Sequence, residues 1–133
     1  MSDETRVLAG ILLLALVTVE TGGMYLVKLV RGAEEATPFQ LGFARAGHAH
    51  AGVLVILTLV GLLLVDQADL SNGGRSLVRY ALVAGPILMP LGFFLSIASP
   101  RAQSPNQLIY LVPLGGVSLG VGAVVLGLGL LSA

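Results

Sequence analysis

Polar and apolar positions along this chain fall in long blocks. Four apolar runs, Val7 to Val27, Ala46 to Val65, Tyr80 to Ala98 and Leu108 to Leu131, stand between shorter polar stretches. Each is close to the ~20 residues that an α-helix needs to cross ~30 Å of hydrocarbon. Lipid offers backbone amides no partner, and the runs lack the short alternation of a membrane β-barrel, so each predicts a helix. The expectation is an all-α, integral membrane four-helix bundle, one domain over residues 1–133. The leader MSDETR sets Asp3 and Glu4 against one arginine, and no clean small-x-small cleavage site follows. The first run is therefore expected to stay as helix one rather than leave as a signal peptide.

The polar stretches set the topology. Loop one, RGAEEATPFQLGFAR, is the longest and is expected to be broken at Pro38 and Gly42, loop two is the polar turn DQADLSNGGRS, and loop three, SPRAQSPN, holds Pro100 and Pro105. Four spans put both termini on one face, termed here the A side, with loops one and three on the B side. Lys28, Arg31, Arg45 and Arg101 fall on the B side and Arg6, Arg75 and Arg79 on the A side. So even a split leans only slightly toward a cytoplasmic B side. Tyr25, Tyr80 and Tyr110 fall at helix ends, where amphipathic rings anchor at the interface. Gly116 and Gly120, Ser118 and Gly122, and Gly92 and Ser96 are small residues four apart, a spacing that lets membrane helices approach closely within one bundle or between copies.

Composition then narrows the chemistry. The chain is 56% hydrophobic and 11% charged with a formal net charge of zero, and it has no cysteine. Disulfides and thiolate metal sites are excluded. No cluster of lysine or arginine tracks a phosphate backbone, so nucleic acid is not an expected partner. The expected partners are the bilayer and further copies of this chain or a larger membrane complex, in a bacterial inner or plasma membrane.

The unusual residues gather in the B half. Glu20, in TVETGGMYLVK, lies roughly 12 Å in from Lys28 at 1.5 Å per residue, and an acid at that depth is costly and seldom faces lipid. Glu20, Met24 and Lys28 share a stripe. The only two histidines, His48 and His50, stand at the start of the second run, and Met89, Pro90 and Pro113 fall at comparable depth. In a regular helix, residues two apart project about 200° apart, so His48 and His50 ligate one ion only if the segment is extended. Gly47 and Gly52 permit either form. His48 is expected to be the ligand, with Gly52 leaving room beside it, and His50 its support. The A half is Leu, Val, Ala and Gly and reads as packing, with Thr58 bonding back to its own helix.

The segment GHAHAGVLVILTLVG resembles the second helix of small membrane proteins related to the catalytic subunit of haem-copper oxidases. ETGG, FARAGHAHAGVLVILTLV and LMPLGFFLS together resemble a group of uncharacterised four-helix membrane proteins from actinobacteria. The oxidase resemblance implies His48 or His50 as an axial ligand to haem b. Those relatives carry further histidines on other helices and this chain has none, so the copper centre and the complete oxidase reaction are excluded. A haem would be five-coordinate, take Met24 or Met89 as its second ligand, or bridge two copies.

The leading expectation is a polar intramembrane pocket of Glu20, His48 and His50 that binds haem or a copper, iron or zinc ion, in electron transfer or sensing, since imidazole suits all three metals and a carboxylate can ligate or orient. The alternatives are a proton-coupled transporter or channel with Glu20 as proton relay, and a structural or assembly subunit.

Overall fold

The computed structural model describes residues 1–133 and contains no strand. Its helices are α1 (Asp3–Val30), α2 (Pro38–Val65), α3 (Asn72–Ser96) and α4 (Leu111–Leu131), the last entered through a 3₁₀ turn over Gln107–Tyr110. All four are long and apolar enough to cross a membrane, counting that turn with α4. The protein is an all-α, multi-pass membrane protein.

Three helices begin well outside their apolar runs, because capping side chains set their starts. Ser2 accepts from the Thr5 amide, and Ser71 from the Gly74 amide. Thr37 and Gln40 form a reciprocal capping box, and Pro38 follows in the first turn, where the amide it lacks would have had no helical partner. The expected break at Pro38 and Gly42 is thus the first turn of α2, and loop one shrinks to 31–37. The same box ties the B-side loops together. The Gln40 amide donates to the carbonyls of Ile97 and Ser99, and the Thr37 hydroxyl donates to Ala102.

α3 is the hub, packed against α2 on one side and α4 on the other. Its seam with antiparallel α4 repeats every seven residues from both sides. Gly115, Gly122 and Gly129 of α4 receive Met89, Leu82 and, from loop two, Leu70, while Gly85 and Gly92 of α3 receive Leu119 and Val112. A Cβ at Gly122 would stand 2.9 Å from the Leu82 side chain and 3.1 Å from its backbone nitrogen. Lipid supplies no hydrophobic drive between helices, so close backbone approach carries the association. Of the small residues singled out by four-residue spacing, Gly122 and Gly92 lie in this seam, whereas Gly116 and Gly120 face open space.

Hydrogen bonds reinforce the hub where proline weakens it. Pro86 has no amide hydrogen, so the Leu82 carbonyl four residues earlier lacks its helical donor. The Thr58 hydroxyl of α2 supplies it at 3.1 Å. Thr58 thus serves the neighbouring helix and not its own, which corrects the expectation of back-bonding. Ser118 of α4 likewise donates to the Ala81 carbonyl at 3.0 Å.

α1 is the least embedded helix, packed mainly along α2 through a cluster around Leu12, Val55 and Leu62. A second cluster, Val65, Ala68, Val78, Leu82 and Leu126, closes the A end. That end also holds the strongest polar contacts, contrary to the reading of the A half as plain packing. The Arg79 guanidinium, 6% exposed, donates to Asp66 at 2.6 Å, Glu4 at 2.8 Å, Thr5 at 2.9 Å and Ser2 at 3.0 Å. One buried cation therefore joins α1, α3 and the end of α2, and its several partners offset the cost of removing it from water. Burial works to raise the Asp66 carboxyl, but hydrogen bonds from the Ser2 amide, Arg79 and Thr5, with the arginine charge, outweigh it and hold its pKa below the ordinary 3.8.

Two outcomes are expected. Gly122→Ala places a methyl against backbone and costs about 1–3 kcal/mol, whereas Gly120→Ala meets nothing within 4 Å and is neutral or stabilising; thermal unfolding in detergent reads the difference, and equal melting temperatures would refute the seam. Because the folded pKa of Asp66 is depressed, its contribution is complete above pH ~3.8 and is lost as pH falls through the folded value. Asp66→Asn should lower stability by about 1–3 kcal/mol at neutral pH and flatten that acid limb. An unchanged acid limb would count against the assignment.

Candidate functional site

α2 is helical through residues 48–50, so His48 and His50 point to different neighbours. The extended, converging form of HAH is not adopted. His48 faces α1 and lies on the Gly22–Gly23 backbone of the ETGG segment. A Cβ at Gly23 would be 3.1 Å from Cε1 of the imidazole and 3.3 Å from Nε2, and one at Gly22 would be 3.8 Å from Nδ1. A side chain at Gly23 would crowd the ring, one at Gly22 would only touch it, and neither ring nitrogen has a hydrogen-bond partner within the protein. The space expected beside Gly52 is met by Val19 of α1, 3.9 Å from the position of a Cβ.

His50 faces α3. Its Nδ1 lies 2.7 Å from the Ala46 carbonyl, and since a carbonyl only accepts, Nδ1 is the donor. The ring packs against Phe93 at a centroid distance of 5.0 Å, and Phe43 and Phe39 continue the aromatic row. His50 is therefore held by its own helix and by Phe93; no contact makes it a support for His48.

The other expected site residues do not join them. Glu20 is exposed on α1 and makes no hydrogen bond or ion pair, including to Arg45 or Lys28. Met24 is 71% exposed. Met89 packs into α4 at Gly115. Glu20, His48 and His50 therefore do not converge on one pocket, and no three His, Asp or Glu side chains come together to hold an ion. Toward a haem iron or a metal ion, one chain offers a single imidazole at a time.

What His48 does line is a groove of about 310 Å³ between α1, α2 and α3. Its floor is small, with Ala15, Gly22 and Ala51, and its walls carry Pro86, Pro90 and Phe94. Two prolines four apart bring both rings to the same wall. The mouth residues Thr18, Ile87, Leu91 and Phe94 are exposed on the side of the bundle. His48 lies three residues beyond Arg45, about 4.5 Å along the helix, at the B-side end of the groove, whereas Ala15, Val55 and Pro86 lie deeper in the apolar runs, so the groove runs from the interface toward the acyl chains. The Thr18 hydroxyl at the mouth gives its proton to the Ala15 carbonyl at 2.6 Å and keeps an accepting oxygen, so Thr18 and the imidazole are the polar side chains that can meet a guest. A cleft of about 430 Å³ among Glu34, Glu35, Thr37 and Arg101 is larger, but it is exposed loop surface at the B face.

The signal that could have located this seat was the glycine pair itself: two adjacent glycines at hydrocarbon depth mark a place where another helix comes close. Comparison of the chain with models of known protein families, with curated proteins and with solved structures finds no match.

Proposed function

We propose that this chain is a small binding protein of a bacterial plasma membrane that takes a lipid-soluble molecule into the lateral groove, with His48 as its polar contact. The observation that carries the reading is an imidazole with both nitrogens unpartnered at the B-side end of an apolar groove that continues into the apolar runs. A volume near the lower end of the ~300–1,000 Å³ of small-molecule pockets suits the head of a guest whose remainder lies in lipid. The second reading is haem b held through one axial bond to His48, favoured by the same unpartnered nitrogens. Ligation through Nε2 requires room on the α1 side, where even a Cβ at Gly23 would stand 3.3 Å from that nitrogen. In neither reading are Glu20 and a histidine joined as a proton relay within one chain.

We further propose that copies associate through the outer face of α1. Glu20 is exposed there at hydrocarbon depth without a partner, and an acid in that position is covered in known membrane proteins by protein or water.

The protein purified into lipid nanodiscs is expected to retain a solvent-extractable compound above its level in the surrounding lipid, and His48→Leu, folded to a similar melting temperature, is expected to lose it. An absorption band of haem lost in the same variant would assign the guest to haem; identical extracts and spectra from parent and variant would refute both readings. Sedimentation of the detergent-solubilised protein should give a mass above one chain, reduced in Glu20→Leu. A parent that sediments as a monomer would overturn the association.

A further inference from the structure

Resting on the reading that the groove holds a lipid-soluble guest, the furrow around the groove points to the class of that guest. Beyond the Leu12 cluster, the α1 and α3 backbones stand apart on either side of α2. Three cavities follow one another along this furrow toward the B face. The His48 groove shares Phe94 with a cavity of about 220 Å³ bordered by Tyr25, Glu35 and Gln40. That cavity in turn shares Leu29, Glu35 and Ala36 with the cleft that holds Glu34 and Arg101. Where the first two meet, the Phe94 ring reaches from α3 to α2: a Cβ at Gly47 would stand 3.0 Å from its Cε2 and 3.1 Å from its Cζ. The α3 wall of these two cavities runs from Pro86 to Ala98, about 18 Å along the helix, close to the ~15 Å of hydrocarbon in one leaflet.

Polarity changes in one direction along the furrow. At the B face, Glu35 and Arg101 form an exposed ion pair at 3.4 Å, and Glu34 beside them pairs with no cation. His48 and the accepting oxygen of Thr18 come next, and the far end is apolar, with Ala15, Val55 and Pro86. From this we infer that the three cavities form one site for a single-chain zwitterionic lipid, a lysophospholipid with an ammonium head group. Its phosphate meets Arg101 and its ammonium meets the two glutamates, the glycerol passes over the Phe94 ring to His48, and the chain ends in the groove. A groove of about 310 Å³ takes about ten methylene-sized groups at the ~30 Å³ that a water molecule has in the liquid, which is room for one chain and not for two. A fatty-acid carboxylate would meet an excess of acid at the B face, and a two-chain phospholipid would bring a second chain for which the furrow has no chamber.

The chain has no tryptophan, so one placed at Ile87, exposed at the mouth of the groove, reports from this site alone. The Ile87→Trp protein in nanodiscs is titrated with lysophosphatidylcholine brominated near the end of its chain, and in parallel with a fatty acid and a two-chain phosphatidylcholine carrying the same bromines. Quenching by the lysolipid should be half complete at an about tenfold lower mole fraction than for either comparison lipid. Leu91→Trp, one turn further along the mouth, should give the same order. Arg101→Gln, a change in an exposed loop, should raise the lysolipid value about threefold, the scale of one exposed ion pair, and leave that of the two-chain lipid in place. Equal quenching by the three lipids, stronger quenching by the fatty acid, or a lysolipid preference that is unmoved in Arg101→Gln would overturn the inference. The His48-dependent extract described above then decides separately whether a guest of another class occupies the groove.

Discussion

Helices in lipid gain little by hiding apolar side chains from one another, and the rest of this structure follows from how that constraint is met. The answer between α3 and α4 is reciprocal: glycines at seven-residue intervals on each helix admit side chains from the other. Dispersion contacts and close backbone approach replace the hydrophobic drive of a soluble core. With α3 and α4 joined, and α2 held to α3 through Thr58, the remaining helix is α1, whose contacts are mainly with α2 and with the A-side arginine.

Uneven packing of this kind creates the groove. At the A end, two apolar clusters and the Arg79 contacts leave no lateral opening. Toward the B side, small residues on α1 and α2 face two prolines on α3, and nothing large fills the space. His48 bridges part of it by resting on Gly22 and Gly23. The same glycines that allow contact also keep it thin, which places a titratable ring beside an accessible cavity rather than inside a filled core.

Much of the fold was legible in the sequence because apolar run length is a one-dimensional signal set by bilayer thickness. The number of helices and the helical class follow from it directly. Helix starts were less legible: Thr37, Gln40 and Pro38 act as a cap, but the same residues read as a loop when hydropathy alone is followed. The site was half legible. His48 stands out by type and depth, but which face it presents depends on where the α2 helix begins. Glu20 was placed with the histidines by depth alone, and depth says nothing about azimuth around α1. Arg79 was counted as a topological charge at the edge of its run. Acids at positions 4 and 66, on the same side of the membrane, were the sign that it had partners to be buried with.

The arginine contacts also bear on the order in which the protein is made. Arg79 meets Glu4 and Thr5 across more than seventy residues of chain, so α1 enters the bilayer and waits through the synthesis of α2 and the start of α3 before the arginine can complete the fastening of its A end. During that interval the α1–α2 hairpin is joined by apolar contact and by the hydrogen bonds of Ser2 and Thr5 to Asp66. The nascent protein thus passes from a paired hairpin to a clamped bundle when the start of α3 is delivered.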